Sequence, residues 1–450
     1  VKLTFRGARV SAGPPLFLCF AASLAFTTGC GDQGAGASDD AALAQRVIES
    51  FAETERMQAH VQLLTPSQRE EHEASVSVLR DKIPKGYPEP LLPTGALGVA
   101  NGDFRLARAP FLSAPLIALG QSLFSETRLS FSHEKGFASD FSCATCHPTR
   151  GAFVDGKKLS RGVDGASTRR NTPTLFNVAY NSTLTWANRV FPVLEMQAKI
   201  PLFGNDPVEM GLRGKEADVM AILRADRGYR ALLSAAYGLK SDEQIDALGA
   251  DYTYITTALA AYQRSLIRFD TKFDRFLLGS AREDERFDAL ETRGLRLFYG
   301  FDALASGTKL PCAQCHSGYL LSDSFRYVRD GKAFSAQAFH NTGLHNVDGR
   351  GAYPLGNTGF ATADELKRHP EWMGRFRTPP LRFVAATAPY GHDGSLPDLN
   401  AVVSHYAAGG RATLGKTGAN PFTDERVKRG FVIADEESEA LIAFLKTLGP

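Results

Sequence analysis

The residues best placed to do chemistry are two copies of one short pattern, Cys143-Ala-Thr-Cys146-His147 and Cys312-Ala-Gln-Cys315-His316. Two thiols three positions apart can form thioether bonds to the two vinyl groups of a haem. The histidine that follows is then placed to bind the iron from below, and this is the attachment signature of c-type haem. A CxxC pair also serves as a redox disulfide, but normally in a βαβ alternation, which surrounds neither copy. Four cysteines can build one zinc site, yet that leaves no task for a histidine at the same offset in both copies. The pattern predicts two covalently bound c-type haems. Cys143, Cys146 and His147 would hold the first, and Cys312, Cys315 and His316 the second.

What fills the opposite axial position of each iron decides the chemistry. The ten histidines stand at positions 60, 72, 133, 147, 316, 340, 345, 369, 392 and 405. None lies between His147 and His316, so no histidine of the first haem's own segment can cap it. Met196, Met210 and Met220 remain as candidate caps, and the reading favoured is an open first haem that binds peroxide. For the second haem, Met373, His392, His405 and Tyr406 all follow the motif, and spacing does not choose among them.

These residues need a scaffold. A length of 450 residues predicts two to three domains. A hydrophobic content of 43% and a charged content of 22% are ordinary for a globular chain, and a net charge of +2 gives no sign of a nucleic-acid partner. The histidines of the two motifs are 316 − 147 = 169 residues apart, which fits one haem per domain. Each motif follows a short apolar helix (Leu116 to Phe124; Phe287 to Tyr299). Each half closes on longer helical runs, Asp218 to Tyr237 and Tyr252 to Leu278 in the first and Ser438 to Leu448 in the second. Strand-like runs are short and broken by Gly or Pro. The expectation is a mainly α fold with two cytochrome c-like haem domains, residues 112–280 and 281–450. Residues 31–111 would form a tether, a helical extension (Ala41 to Lys82, with a second start at Pro66) and a Pro- and Gly-rich linker wrapped on the surface from Lys85 to Pro110.

The first 30 residues read as an export signal. Lys2, Arg6 and Arg9 form a basic start, and the apolar run Leu16 to Phe26 is too short to span a bilayer. Thr27-Thr28-Gly29-Cys30 resembles a bacterial lipoprotein cleavage site with Cys30 lipidated, although Thr27 stands where leucine is usual. The expected location is the periplasmic side, anchored by a lipid on Cys30, or soluble there after ordinary cleavage. No other run is apolar enough to cross a membrane. Cys19 and Cys30 are the only other cysteines, so the folded body has no thiol left for a structural disulfide.

Several stretches carry a family resemblance. They are Arg170-Asn-Thr-Pro-Thr-Leu-Phe-Asn177, Thr185-Trp-Ala-Asn188, Phe339-His-Asn-Thr-Gly-Leu-His-Asn346, Asp348-Gly-Arg-Gly-Ala-Tyr-Pro354, Ala388-Pro-Tyr-Gly-His-Asp-Gly-Ser-Leu396 and Val403-Ser-His-Tyr-Ala-Ala-Gly-Gly410. Together they resemble the di-haem cytochrome c peroxidase and MauG superfamily, and within it most closely the MbnH-like branch. The resemblance runs from about Leu116 onward and implies several roles. Tyr406, 19 residues after Thr387 and 17 after Pro389, stands where peroxidases of the family place a methionine and where MauG places a tyrosine, so it is the implied distal ligand of the second haem. Asn171, Thr387 and Pro389 are the implied ligands of one interdomain calcium ion, oxygen donors that suit a hard cation. Trp186 is the implied electron relay between the haems. Gln197, Pro201 and Glu209 are the implied distal pocket of the first haem, although two extra residues separate Pro201 from Glu209. His392 keeps its family place near the second haem or its propionates, whereas Gly391 replaces the usual Met or Phe.

The implied activity is that of an oxidoreductase. Hydrogen peroxide enters at the first haem, with Glu209 and Gln197 as proton carriers. A high-valent two-haem state then oxidises a residue, a tryptophan by analogy, of an exported partner protein of the MbnP-like kind. Two alternatives stand beside it: a cytochrome c peroxidase fed by a small electron carrier, and a dihaem electron-transfer protein.

Overall fold

The computed structural model describes residues 36–92, 112–137, 140–189, 193–410, 414–415 and 420–449. The expected export signal with Cys30, and most of the expected linker, lie outside the described residues. Among those described, no helix is long and apolar enough to cross a membrane.

Fifteen α-helices supply most of the regular secondary structure among the described residues. They are α1 (Gly36–Gln58), α2 (Pro66–Val76), α3 (Ala114–Phe124), α4 (Cys143–Cys146), α5 (Leu194–Phe203), α6 (Glu216–Ala225), α7 (Arg227–Tyr237), α8 (Asp242–Asp246), α9 (Thr253–Arg264), α10 (Lys272–Leu277), α11 (Ala289–Phe298), α12 (Ala363–Arg368), α13 (Leu399–Ala407), α14 (Glu425–Lys428) and α15 (Asp435–Lys446). They surround two main cores. In the first, Leu116, Leu119 and Leu123 of α3 meet Leu233 of α7 and Leu259 and Tyr262 of α9. In the second, Leu295 and Phe298 of α11 meet Val403 of α13 and Leu441, Phe444 and Leu445 of α15.

The two cores repeat one joint. Gly120 of α3 lies so close to α9 that a Cβ there would stand 1.9 Å from the Ala258 carbonyl oxygen and 2.8 Å from Tyr262 Cβ. Gly294 of α11 meets α15 in the same way, 1.8 Å from the Ala440 oxygen and 2.9 Å from Phe444 Cβ. Any side chain at either position must push two helices apart, because the atom it meets is backbone. Gly120→Val and Gly294→Val are each expected to destabilise by about 3 kcal/mol, the upper end of ordinary overpacking. Thermal unfolding of the holoprotein, followed by circular dichroism, would show a Tm lower by roughly 10 °C. An unchanged Tm would mean that the helices do not approach this closely.

Two runs expected as single helices are each broken in two. Asp226 ends α6 and caps α7, its carboxylate accepting from the amides of Gly228 (2.8 Å) and Tyr229 (3.2 Å). Between α9 and α10, the Asn177 side chain accepts from the Arg268 amide (2.9 Å) and donates to the Arg268 carbonyl (2.8 Å), occupying groups that a continuous helix would use. Thr271 and Asp274 then cap α10 reciprocally. After this break Phe273, Phe276 and Leu277 pack in the second core, not the first.

The N-terminal extension is more than a helical pair. Between α1 and α2 lies β1 (His60–Leu63), and after α2 comes β2 (Glu89–Pro90). They flank a hairpin from the second half, β3 (Phe325–Arg329) and β4 (Lys332–Ala336), in an antiparallel sheet of order β1-β4-β3-β2. Asp330 and Gly331 form the two-residue turn with φ of 51° and 69°, the type I′ geometry that matches strand twist. Glu55 of α1 accepts from Arg329 Nη1 at 2.9 Å and from the Tyr327 hydroxyl. Leu43, Val47 and Phe51 of α1 pack in the second core, whereas Val76, Leu79 and Leu92 pack in the first. Tyr87, expected on a surface linker, is wedged between the cores and donates its hydroxyl to Asp274 at 2.7 Å. The extension therefore straps both halves together.

Four short strands complete the second half in two small ladders: β5 (Phe339–His340) pairs with β7 (Phe376–Arg377), and β6 (His345–Asn346) with β8 (Leu414–Gly415).

Candidate di-haem active site

Each CxxCH folds as one helical turn, with the histidine amide donating to the first cysteine carbonyl at 2.9 Å (His147 to Cys143, His316 to Cys312). A turn of this kind brings residues three apart onto one face. The His147 imidazole donates through Nδ1 to the Phe153 carbonyl (2.8 Å), and His316 through Nδ1 to the Leu321 carbonyl (3.0 Å). A carbonyl only accepts, so each Nδ1 carries the proton and each Nε2 keeps its lone pair for a metal. Phe153 and Leu321 are both left-handed, with φ of 58° and 55°, so one uncommon backbone turn serves both rings. Burial lowers the pKa of both imidazoles, which favours the neutral, ligating form. Burial also pushes the Cys143 and Cys312 thiols up to about 12. These donors fit two haems, each with a thioether pair and an oriented proximal imidazole.

Helix α5 carries the residues expected over the first haem. Gln197 and Pro201 are four apart, hence on one face. The Pro201 carbonyl accepts from the Met210 amide (2.9 Å) and the Leu202 carbonyl from the Leu212 amide (3.0 Å), tying the Glu209 segment along α5. The two extra residues fall in the turn between these ties, where Asn205 and Asp206 are exposed. Burial raises the Glu209 carboxyl. Glu209 in turn helps to raise the Cys143 and Cys146 thiols, so its carboxyl lies near the first attachment turn. Helix α5 is itself pinned by a buried ion pair, Glu195 with Arg264 of α9, at 2.5 and 2.6 Å. Met210 and Met220 are packed in the first core, and Met196 is half-buried.

A seam of hydrogen bonds joins the halves. Trp186 donates from Nε1 to the Asn171 carbonyl (2.8 Å), and the Asn171 amide donates to the His392 carbonyl (3.0 Å). From the other side, the Arg377 amide donates to the Trp186 carbonyl at 2.8 Å. Trp186 packs with Phe360 and Met373 against Tyr353 and Phe376, so it bridges first-half and second-half residues. The Asn171 side chain donates its amide to the Lys157 carbonyl at 2.9 Å. That turns its Oδ1 the opposite way, an orientation that fits an oxygen donor to a cation. Asn171 is thus tied to His392, three residues after Pro389.

Tyr406 lies on α13. Its phenol pKa is raised first by burial and then by Cys315 and Cys312, so the phenol lies near the second attachment turn. The neighbouring His405 is buried and spends Nε2 on the Thr342 carbonyl at 2.7 Å. Met373 is packed with Trp186. His392 is buried and stacked on Phe376, with centroids 3.6 Å apart and planes 12° apart. Burial pushes its pKa down to about 3. Neither of its ring nitrogens has a hydrogen-bond partner among the described residues, which fits a polar group of a bound cofactor. Gly391 has a φ of 84°. That is a backbone conformation in which glycine carries no steric cost.

Sequence reasoning passed over two clusters. His345 meets Asp393 at 2.9 Å beside His392. His340 is held between Asp323 (2.7 Å) and Asp424 (3.0 Å). Burial opposes its charge, but the two carboxylates outweigh burial and push its pKa up to about 11. His340 and His345 both stand in the Phe339–Asn346 stretch, yet their carboxylate partners are remote in sequence.

Comparison with known proteins agrees with this geometry. The family model for di-haem cytochrome c peroxidase matches residues 114–282. The methylamine utilization protein MauG of Methylorubrum extorquens is 32% identical over 340 residues, covering 75% of this chain and 79% of that protein. The cytochrome c peroxidase Ccp of Escherichia coli is 29% identical over 290 residues, covering 64% of this chain and 52% of that protein. Among solved structures, a MauG-like protein associated with microbial copper homeostasis superposes with a TM-score of 0.67 at 35% identity, covering 82% of this chain and 94% of that one. With motifs, fold and relatives in agreement, the chain belongs to the di-haem cytochrome c peroxidase and MauG family and is a di-haem peroxidase-type oxidoreductase.

Proposed function

We propose that this protein draws two oxidising equivalents from hydrogen peroxide and spends them on a residue, a tryptophan in this reading, of an exported partner protein. The observation that carries the reading is Tyr406, a phenol on α13 close to the second attachment turn, at the position where a scavenging peroxidase of the family would place a thioether. Haem, when bound, supplies the iron that takes up peroxide and the oxidation states that store its oxidising power. The chain's own residues do the rest. Glu209, aided by Gln197 in a pocket bounded by Pro201, takes a proton from one peroxide oxygen and returns it to the other, which lowers the cost of parting the two oxygens. Trp186 relays an electron between the two halves. Tyr406 offers an anionic oxygen that disfavours a reduced second centre. Asn171, Thr387 and Pro389 hold a calcium ion that fixes the seam, and His392 meets the second cofactor's polar edge.

In this reading residues 112–280 and 281–450 form the two haem domains, and the protein works on the periplasmic side, anchored through Cys30. Tyr406 weighs against a peroxidase that rests with its second centre reduced. The half-buried carboxyl of Glu209 weighs against a simple electron wire.

The test is peroxide titration of the fully oxidised holoprotein, followed by optical and Mössbauer spectroscopy, beside Trp186→Phe. The parent should store two oxidising equivalents across both centres, and the variant should share them more slowly. If the parent consumes peroxide only after its second centre is pre-reduced, the scavenging reading replaces this one.

A further inference from the structure

We infer that Trp372 is the residue through which electrons from an external protein donor enter the molecule, on their way to Trp186. The inference rests on the proposed function, which requires electrons to arrive from outside. Trp186 and Trp372 are the only two tryptophans in the chain, and Phe360 shares a cluster with the first and a ring contact with the second. Phe360 and Met373 pack with Trp186 against Tyr353 and Phe376. Trp372 precedes Met373 and lies 5.7 Å from Phe360, centroid to centroid. The Phe360 amide donates to the Arg375 carbonyl (3.0 Å) and the Gly374 amide to the Thr358 carbonyl (2.8 Å), so the two segments are fixed to one another. Arg189, three residues after Trp186, lies over the Phe360 ring at 5.0 Å and pairs with Glu365 of α12. Residues from both halves thus converge on this short aromatic path.

The outer end of the path reaches solvent. Trp372 is half-buried and stacked on His369, with centroids 4.2 Å apart and planes 13° apart. The His369 side chain is 45% exposed. Tyr353 is a poorer carrier. A phenol must lose its proton on oxidation, and its hydroxyl faces the Asn341 side-chain oxygen at 2.8 Å, a neutral group that takes no proton. An indole can give an electron and keep its proton. The step balances simply: after Trp186 has lost one electron to the haem pair, Trp372 supplies one to Trp186 and regains one from the donor. No bond is made or broken, two such transfers occur per peroxide, and peroxide is the oxidant throughout.

The first measurement avoids peroxide, so it is separable from the proposed function. In the holoprotein with reduced haems, a ruthenium tris-bipyridyl label is attached at Lys367→Cys, a position 76% exposed on α12. Flash–quench oxidation of the label then draws electrons outward. Adding Trp372→Phe should slow haem oxidation roughly tenfold, and Trp372→Tyr should recover part of the rate. Equal rates in parent and Trp372→Phe would overturn the assignment. A second measurement guards against a variant that folds poorly. The unmodified holoprotein is given peroxide with no donor, and its peptides are mapped by mass spectrometry. Oxygen added first at Trp372 supports the path, whereas modification elsewhere with Trp372 intact overturns it. A parent that ignores peroxide would sink the proposed function, and the flash measurement would still decide the role of Trp372.

Discussion

Glu209→Gln is expected to lower the second-order rate constant for peroxide by about 10²–10⁴-fold, the usual contribution of a positioned general acid–base group. The substitution keeps shape and hydrogen bonding but removes the proton acceptor. The pH profile should identify the group. Burial disfavours the charged carboxylate, so the Glu209 pKa lies above its ordinary value of 4.5. The working form is the carboxylate, because it must take the peroxide proton. The rate should therefore rise with pH through that raised pKa and then level off. In Glu209→Gln this acid limb should vanish and the rate should be low throughout. Stopped-flow kinetics across the pH range would check both features. A variant that kept the parent's acid limb would remove Glu209 from the role.

Much of this site can be read in sequence, for identifiable reasons. A CxxCH motif is local: one helical turn brings both thiols and the imidazole together, so its geometry follows from its spacing. The Gln197 and Pro201 pair is local in the same sense. Glu209 is not, because its approach depends on the Pro201–Met210 and Leu202–Leu212 bonds across a turn. The Asn171–His392 and Trp186–Asn171 bonds are remote as well, and only family resemblance pointed to those residues. Composition also understated the sheet. Asp330-Gly331 between Phe325-Arg-Tyr-Val-Arg329 and Lys332-Ala-Phe-Ser-Ala336 is a strong hairpin signal that a mostly helical reading passed over. The pairing of β1 and β2 with that hairpin leaves almost no local trace, since β1 is exposed along its whole length. Helix breaks were missed because periodicity continues through Asp226 and Ser265, while capping and the Asn177 side chain end the helices. The proximal carbonyls were illegible too, because neither Phe153 nor Leu321 is a residue type that marks a left-handed turn.

Tyr406→Met should have the largest electronic effect of any single change. In the parent, burial pushes the phenol's pKa up, so the side chain becomes an anion only where a cation replaces its proton. An anionic oxygen then favours the oxidised metal, whereas a thioether favours the reduced one. Axial ligands span roughly 0.8 V in haem potential. A change from phenolate to thioether should raise the second centre by a few tenths of a volt. At about 59 mV per decade for one electron, a rise of ~0.3 V shifts the reduced-to-oxidised ratio by about 10⁵. The variant should rest with its second centre reduced under mild reductant. It should also lose the ability to store oxidising equivalents there, while Glu209 still supports peroxide uptake at the first centre. Spectroelectrochemical titration of parent and variant measures the shift directly. Tyr406→Phe, which removes the ligand atom without offering sulfur, separates loss of oxygen from gain of thioether. If the second centre's potential moves by less than 50 mV in both variants, Tyr406 does not ligate it, and the choice between oxidising a partner and scavenging peroxide must rest on another residue.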